Sequence, residues 1–299
     1  MKKLFLNNFY LKIIAIITMT ISHVGNFLLY FGYIPYDSTT YFILQIIGKI
    51  AFPIFVFLLI EGVNHTKSKK NYLTRLSIGA ILIYLGILVI NLPFFSDAFE
   101  VGGISRFGNI FLELFLLALI YTLLTSEKKN AKWYVIIPIA YIIGMSVLKY
   151  LTASNIIPFN KYHYLYDGFY LQFDLIGLLI LFSYYFGYKI NDKMIEKALN
   201  NDELYNTYLA SPQYQFRKNA TASISIVLVS VICYLISIIP DPNMIYYCDF
   251  PQLTYVALAA LPLLFYNGKL GISNKYIQGA FYLYYPLHLV IIFLIFYFI

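Results

Sequence analysis

Charge is scarce in this 299-residue chain. Only 12% of its residues are Asp, Glu, Lys or Arg, against about 25% in an ordinary soluble domain. So few charges cannot cover a water-facing surface, which excludes a soluble enzyme, a disordered chain and a nucleic-acid-binding domain. Cysteine is scarcer still: Cys233 and Cys248 are the two present. They exclude a disulfide scaffold or a Cys-rich metal cluster and allow one bridge at most. HExxH, GxSxG and P-loop patterns are also missing, which disfavours an intramembrane zinc protease and the hydrolase and nucleotide-binding classes those patterns mark. No metal is expected.

What the chain has instead is apolar surface, 61% of residues, including 31 Tyr and 26 Phe. AT-rich codon usage accounts for the aromatic, Ile, Asn and Lys excess without any aromatic function. A membrane span takes about 20 apolar residues, and nine segments qualify: 10–32, 41–62, 72–92, 107–125, 133–152, 169–189, 218–239, 251–267 and 276–299. The eighth is the weakest, being short and interrupted by Pro262. The start of the chain, Lys2 and Lys3 before an apolar run, imitates a signal peptide; no small-residue cleavage site follows, so a retained first helix is expected. The expected fold is therefore all-α: a multi-pass integral protein of the cytoplasmic membrane, about nine transmembrane helices in one domain over 1–299.

Basic residues set the orientation. With the N-terminus cytoplasmic, 17 of the 21 Lys and Arg fall on the inner side, while Arg106, Lys149 and Lys161 fall outside and Lys49 lies within a span. Topology thus explains the net charge of +7, and no nucleic-acid partner is needed. The cytoplasmic loop at 190–217 carries a charged run that reads as a short amphipathic or surface helix.

Ionisable residues at bilayer depth cost at least about 2.5–3.5 kcal/mol each, so they face cavities or partners. His23, Lys49, Glu113, Asp174 and His288 all fall at the centre or in the outer half of five different spans. Thr20, His23 and Asn26 are spaced for one helix face, as are Gln45 and Lys49. Pro53 and Pro286 lack an N–H and release the carbonyls of Lys49 and Tyr282, while Tyr284, Tyr285 and His288 line one side of the last span. Structural explanations stand beside these: either His can be a hydrogen-bonded packing residue, Glu113 and Asp174 can neutralise Lys49 and Arg106, and Glu61 can pair with a nearby Lys. Lys67, Lys69, Lys70 and Arg75 can be positive-inside signal alone. Read as a site, the set offers a base, a cation for an oxyanion and carboxylates to tune the base, which suits acyl transfer to an amine or hydroxyl.

The segments LKIIAIITMTISHVG (11–25), IGKIAFPIFVFLLIEGVNHT (47–66), YLTRL (72–76), FGNIF (107–111) and FYLYYPLHL (281–289) resemble the TraX family. That family is named for a conjugative-pilus protein that acetylates the N-terminus of pilin, and it is similar to membrane acyltransferases that use cytoplasmic acyl-CoA to modify outer-face glycans or peptides. Two positions depart from the family pattern: Ser22 precedes the first-span His where Asp is common, and Lys49 stands where Arg is common. Lys49 keeps the charge but loses the bidentate fork.

The resemblance implies acetyl-CoA or another acyl-CoA as donor, with Lys67, Lys69, Lys70 or Arg75 near its phosphates. His23, Lys49 and His288 form the catalytic set, and Asn26, Gln45, Arg106, Asn109, Glu113, Asp174 and Tyr285 surround the acceptor. That acceptor is a pilin-like protein, a secreted peptide or a surface glycan. Two further readings stay open: a transporter or flippase built on the same intramembrane residues, and a membrane assembly or immunity factor without chemistry.

Overall fold

The computed structural model describes residues 4–90, 108–154, 156, 157, 168–239 and 250–299, and helices dominate them. In chain order these are α1 (Asn8–Tyr30), α2 (Thr39–Gly48), α3 (Ala51–His65), α4 (Lys69–Ile90) and α5 (Ile110–Leu124). A 3₁₀ stretch (Lys129–Val135) leads into α6 (Ile136–Ala153), followed by α7 (Asp174–Leu199), α8 (Asp202–Leu209) and α9 (Pro212–Ser237). Three short pieces, Phe250–Leu253, Thr254–Ala259 and Ala260–Leu264, precede α10 (Lys275–Phe298). Polar caps start the long helices. The side chains of Asn7, Ser38, Asn109, Ser211 and Asn274 each accept a first-turn backbone N–H, satisfying donors that have no intrahelical partner.

Among the described residues six stretches are long and apolar enough to cross a membrane: Asn8–Tyr30, Thr39–His65, Lys69–Val89, Lys129–Thr152, Pro212–Ser237 and Lys275–Phe298. The chain is a multi-pass membrane protein. The other three expected spans differ for identifiable reasons. Helix α5 has only 15 residues. Helix α7 starts at Asp174 and runs past Lys189 into a charged tail ending at Leu199, so much of the expected 190–217 loop is helical. The 250–264 region is broken into short turns, with Pro262 inside the last.

The second span is also broken. Instead of one helix with a released carbonyl at Lys49, the chain turns at Lys49 and Ile50, and α3 begins afresh at Ala51. Pro53 then lies in the first turn of α3, where a missing N–H removes no helical bond.

Helix α3 is the centre of the bundle, with eleven of its fifteen residues buried. It packs against α1, α5 and α7, and α9 in turn packs on α7 and the 254–264 pieces. Outward-facing apolar stripes complete the picture: Ile224, Leu228, Val231 and Leu235 on α9, and Leu283, Leu287, Ile291 and Leu294 on α10, are all exposed. Apolar surface of this extent is at home in lipid and not in water. At the end of the bundle that holds the N-terminus, residues 5–9 are zipped to 265–270 by main-chain bonds such as Asn8 N–H to Lys269 O at 2.8 Å and Asn267 N–H to Leu6 O at 2.8 Å.

Candidate active site

Asn8, Lys12, Ile16 and Met19 follow one another at helical spacing along α1 and line a cavity of about 630 Å³. Helices α3, α4, α5 and α10 and the 266–273 loop supply its other walls. The cavity reaches the surface at the N-terminal end of the bundle, where Arg75, Leu270, Ser273 and Gln278 are exposed. Its deep end is walled by Met19, Tyr284 and Tyr285. His23 is the next residue along the same face of α1.

Beyond Met19 and Tyr284, outside the cavity lining, the two histidines meet. His23 Nδ1 lies 2.7 Å from His288 Nε2, and the two rings are within 15° of parallel with centroids 4.9 Å apart. His288 Nδ1 lies 2.9 Å from the carbonyl oxygen of Tyr284. A carbonyl only accepts, so Nδ1 of His288 carries the proton. Its Nε2 is then the acceptor in a neutral pair, His23 Nδ1–H donates to it, and His23 Nε2 is left with the lone pair. One backbone oxygen thereby sets two tautomers.

The surroundings hold this relay in place. Tyr284 stacks on the His288 ring at 4.9 Å. The Thr20 hydroxyl donates to Ile16 O at 2.8 Å, so it accepts from the Tyr284 hydroxyl 2.7 Å away. Tyr285 meets both imidazoles edge-on and donates its hydroxyl to Gly108 O at 3.1 Å. On the neighbouring face of α1, Ser22 Oγ donates to Gln45 Oε1 at 2.9 Å, while Gln45 Nε2 donates to Ser22 O and Asn26 Oδ1. Asn26 also accepts from Tyr41 at 3.2 Å. Gly48 makes this close approach possible, because a Cβ there would stand 2.2 Å from the Ser22 Cβ.

The remaining expected site residues are spread over the fold. Lys49 is buried at the C-terminus of α2, one residue beyond Gly48. Glu113 is wholly buried, and its carboxylate accepts the N–H groups of Gln172 at 3.0 Å and Phe173 at 3.1 Å, capping α7 from a neighbouring helix. Asp174 pairs with Lys149 at 3.2 Å. Asn109 caps α5 and donates to Ala80 O and Gly168 O, both at 2.9 Å. Arg106 lies outside the described residues. Lys67, Lys69 and Lys70 are exposed around the α3–α4 turn, while Arg75 lines the cavity. Glu61, also in the cavity wall, is held by Lys218 at 2.5 Å.

Sequence reasoning passed over Lys12, counting it only as a cytoplasmic charge; the 8-12-16-19-23 periodicity of α1 is the signal that singles it out. The partner of Glu61, on α9, had no sequence signal.

Comparison with known proteins adds a lineage to this geometry. Over 119 residues the chain is 31% identical to a probable fimbrial assembly protein FimC, serogroup H1, of Dichelobacter nodosus. The match takes in 37% of this chain and 42% of that protein's length. No solved structure matches. A sequence profile described as TraX protein matches residues 8–197, which include α1, the α2–α3 break and the α5–α7 junction. The chain belongs to the TraX family.

Proposed function

We propose that the protein is a membrane acyltransferase that moves an acetyl group from cytoplasmic acetyl-CoA, or another acyl-CoA, to an amine or hydroxyl presented at the outer face. The observation that carries this reading is the Tyr284–His288–His23 hydrogen-bond relay, whose Tyr284 also walls a cavity that Lys12 and Arg75 line. In the proposed topology the N-terminus is cytoplasmic and the chain crosses the membrane about nine times, so the donor enters from the N-terminal end.

In the proposed step, His23 Nε2 takes the proton of the acceptor as its nitrogen or oxygen attacks the thioester carbon. The tetrahedral oxyanion collapses, the C–S bond breaks, and His23 returns the proton to the leaving thiolate. His288 gains and loses no proton overall; it keeps His23 in the reactive tautomer and shares the transient positive charge, a part that a carboxylate plays in other relays. Lys49 is the proposed oxyanion partner, supported by its burial next to the Gly48–Ser22 contact. Family membership and a relative named for fimbrial assembly favour a pilin-like protein as acceptor over a glycan.

The test is thiol release from acetyl-CoA by the purified protein in proteoliposomes, with a pilin N-terminal peptide as acceptor. Acceptor-dependent release that His23→Ala abolishes is expected. A well-folded protein that releases no CoA and acetylates nothing would overturn the reading in favour of transport.

A further inference from the structure

Lys12 and Arg75 are the lysine and the arginine in the cavity wall. Among the described residues neither forms an ion pair. Each lies instead by an aromatic ring, Lys12 Nζ 5.1 Å from the Phe281 centroid and the Arg75 guanidinium 5.9 Å from that of Tyr72. The carboxylate nearest in kind, Glu61 in the same wall, is already engaged by Lys218 and His65. Two like charges facing one half-apolar space are left to repel each other. An anion that bridges them removes that repulsion.

Their height in the bundle matters as much as their charge. Lys12 and His23 lie on one face of a continuous helix, eleven residues apart, which at about 1.5 Å per residue is about 16 Å along the axis. The cavity occupies this interval, from Lys12 past Ile16 and Met19.

We infer that Lys12 and Arg75 form an anion clamp that sets the length of the acyl donor, accepting a phosphopantetheine thioester whose phosphate sits between them while its acyl group reaches the histidine pair. This rests on the acyl-transfer reading. About thirteen bonds separate phosphorus from sulfur in that arm, and an extended chain advances about 1.1–1.2 Å per bond, giving about 15 Å. The arm spans the interval. Acetyl phosphate is too short: held at the clamp, it leaves its acyl carbon far below His23. Acetyl-pantetheine is long enough but brings no charge to hold. Coenzyme A and a phosphopantetheinylated carrier protein share the required chemistry, and Lys67, Lys69 and Lys70 at the surface are placed to meet whatever lies beyond the phosphate.

The experiment is equilibrium binding by the full-length protein in detergent, using acetyl-CoA, acetylated holo-carrier protein, acetyl-pantetheine and acetyl phosphate. Lys12→Ala, Arg75→Ala and Lys12→Arg are compared with the wild type. Each alanine variant is expected to bind a phosphopantetheine thioester about tenfold more weakly, with Lys12→Arg near wild type and acetyl-pantetheine affinity, weak throughout, unchanged. The carrier-protein and CoA arms identify which source binds. Equal weakening toward acetyl-pantetheine would mean that the substitutions disturb packing, and the clamp would be wrong. Unchanged thioester affinity in both alanine variants would likewise overturn the clamp while leaving acyl transfer standing. A wild-type protein that binds neither thioester would overturn both.

Discussion

The imidazole of His23 and that of His288, 265 positions apart in the chain, are joined through Nδ1 and Nε2 at 2.7 Å. Because His288 is itself oriented by Tyr284 O, it needs only to accept a hydrogen bond, and a glutamine carbonyl can do that too. His288→Gln is therefore expected to lose less activity than His288→Ala. General acid–base groups contribute about 10²–10⁴-fold, so His23→Ala should fall in that range, with His288→Ala beside it. Transfer rates in proteoliposomes at saturating acetyl-CoA check the order. A His288→Ala protein with the wild-type rate would remove the relay from the mechanism.

The Thr20–Tyr284 hydroxyl contact braces the same relay from the cavity side. With the Thr20 hydroxyl spent on Ile16 O, Tyr284 is the donor. Tyr284→Phe keeps the ring stacked on His288, whereas Thr20→Val leaves the tyrosine hydroxyl without its acceptor. A neutral hydrogen bond contributes about 0.5–1.5 kcal/mol, and a double-mutant cycle on thermal unfolding should return a coupling in that range. A coupling of zero would mean that the contact contributes nothing.

Periodicity and burial cost made part of this arrangement legible before any coordinates. Apolar runs marked the helices, and the expense of a buried imidazole marked His23 and His288 as residues in need of partners. Depth in the membrane could place the two at one level, but not show that α1 and α10 are neighbours, because adjacency is a property of packing. Glu113 illustrates the other limit. Its partners are backbone N–H groups of Gln172 and Phe173, and every residue but proline carries such a group, so no side-chain pattern announces the contact. The break at Lys49 was half visible: Pro53 signalled a discontinuity, while the choice between a released carbonyl and a restarted helix depends on what α3 buries. Lys12 was hidden by its own plausibility as a topology signal.

Close approach of α1 and α2 at Ser22 and Gly48 yields a steric prediction. Gly48→Ala would set its Cβ against Ser22 Cβ and Oγ, at 2.2 and 2.5 Å. The helices must separate, and overpacking of this kind costs about 1–3 kcal/mol. His23 adjoins Ser22, so transfer should fall along with thermal stability in detergent. Ser22→Gly removes both clashing atoms and should restore much of the stability in the double variant, though without the bond to Gln45. Full stability of Gly48→Ala alone would show that the interface yields easily.

Glu113 provides the sharpest separation between a structural and a chemical part. If it serves α7 alone, removing it strands two N–H groups at the helix start, at about 1–3 kcal/mol for each unsatisfied donor. Glu113→Ala should then fold poorly, and the molecules that do fold should retain the wild-type rate per binding site. Glu113→Gln keeps one carbonyl acceptor where the carboxylate has two, and should recover part of the yield. A role in holding the acceptor predicts the opposite split: Glu113→Gln would fold normally and show a raised KM for the peptide with unchanged donor affinity. Yield from membranes, measured beside KM for acceptor and donor, decides between them. Because Gly177 packs 2.7 Å from Glu113 Oε1 at its Cβ position, Gly177→Ala should reproduce the yield defect by pushing the carboxylate off its two donors, without touching the acceptor. If Gly177→Ala instead raised the acceptor KM with normal yield, Glu113 would belong to the acceptor site and not to the frame of the fold.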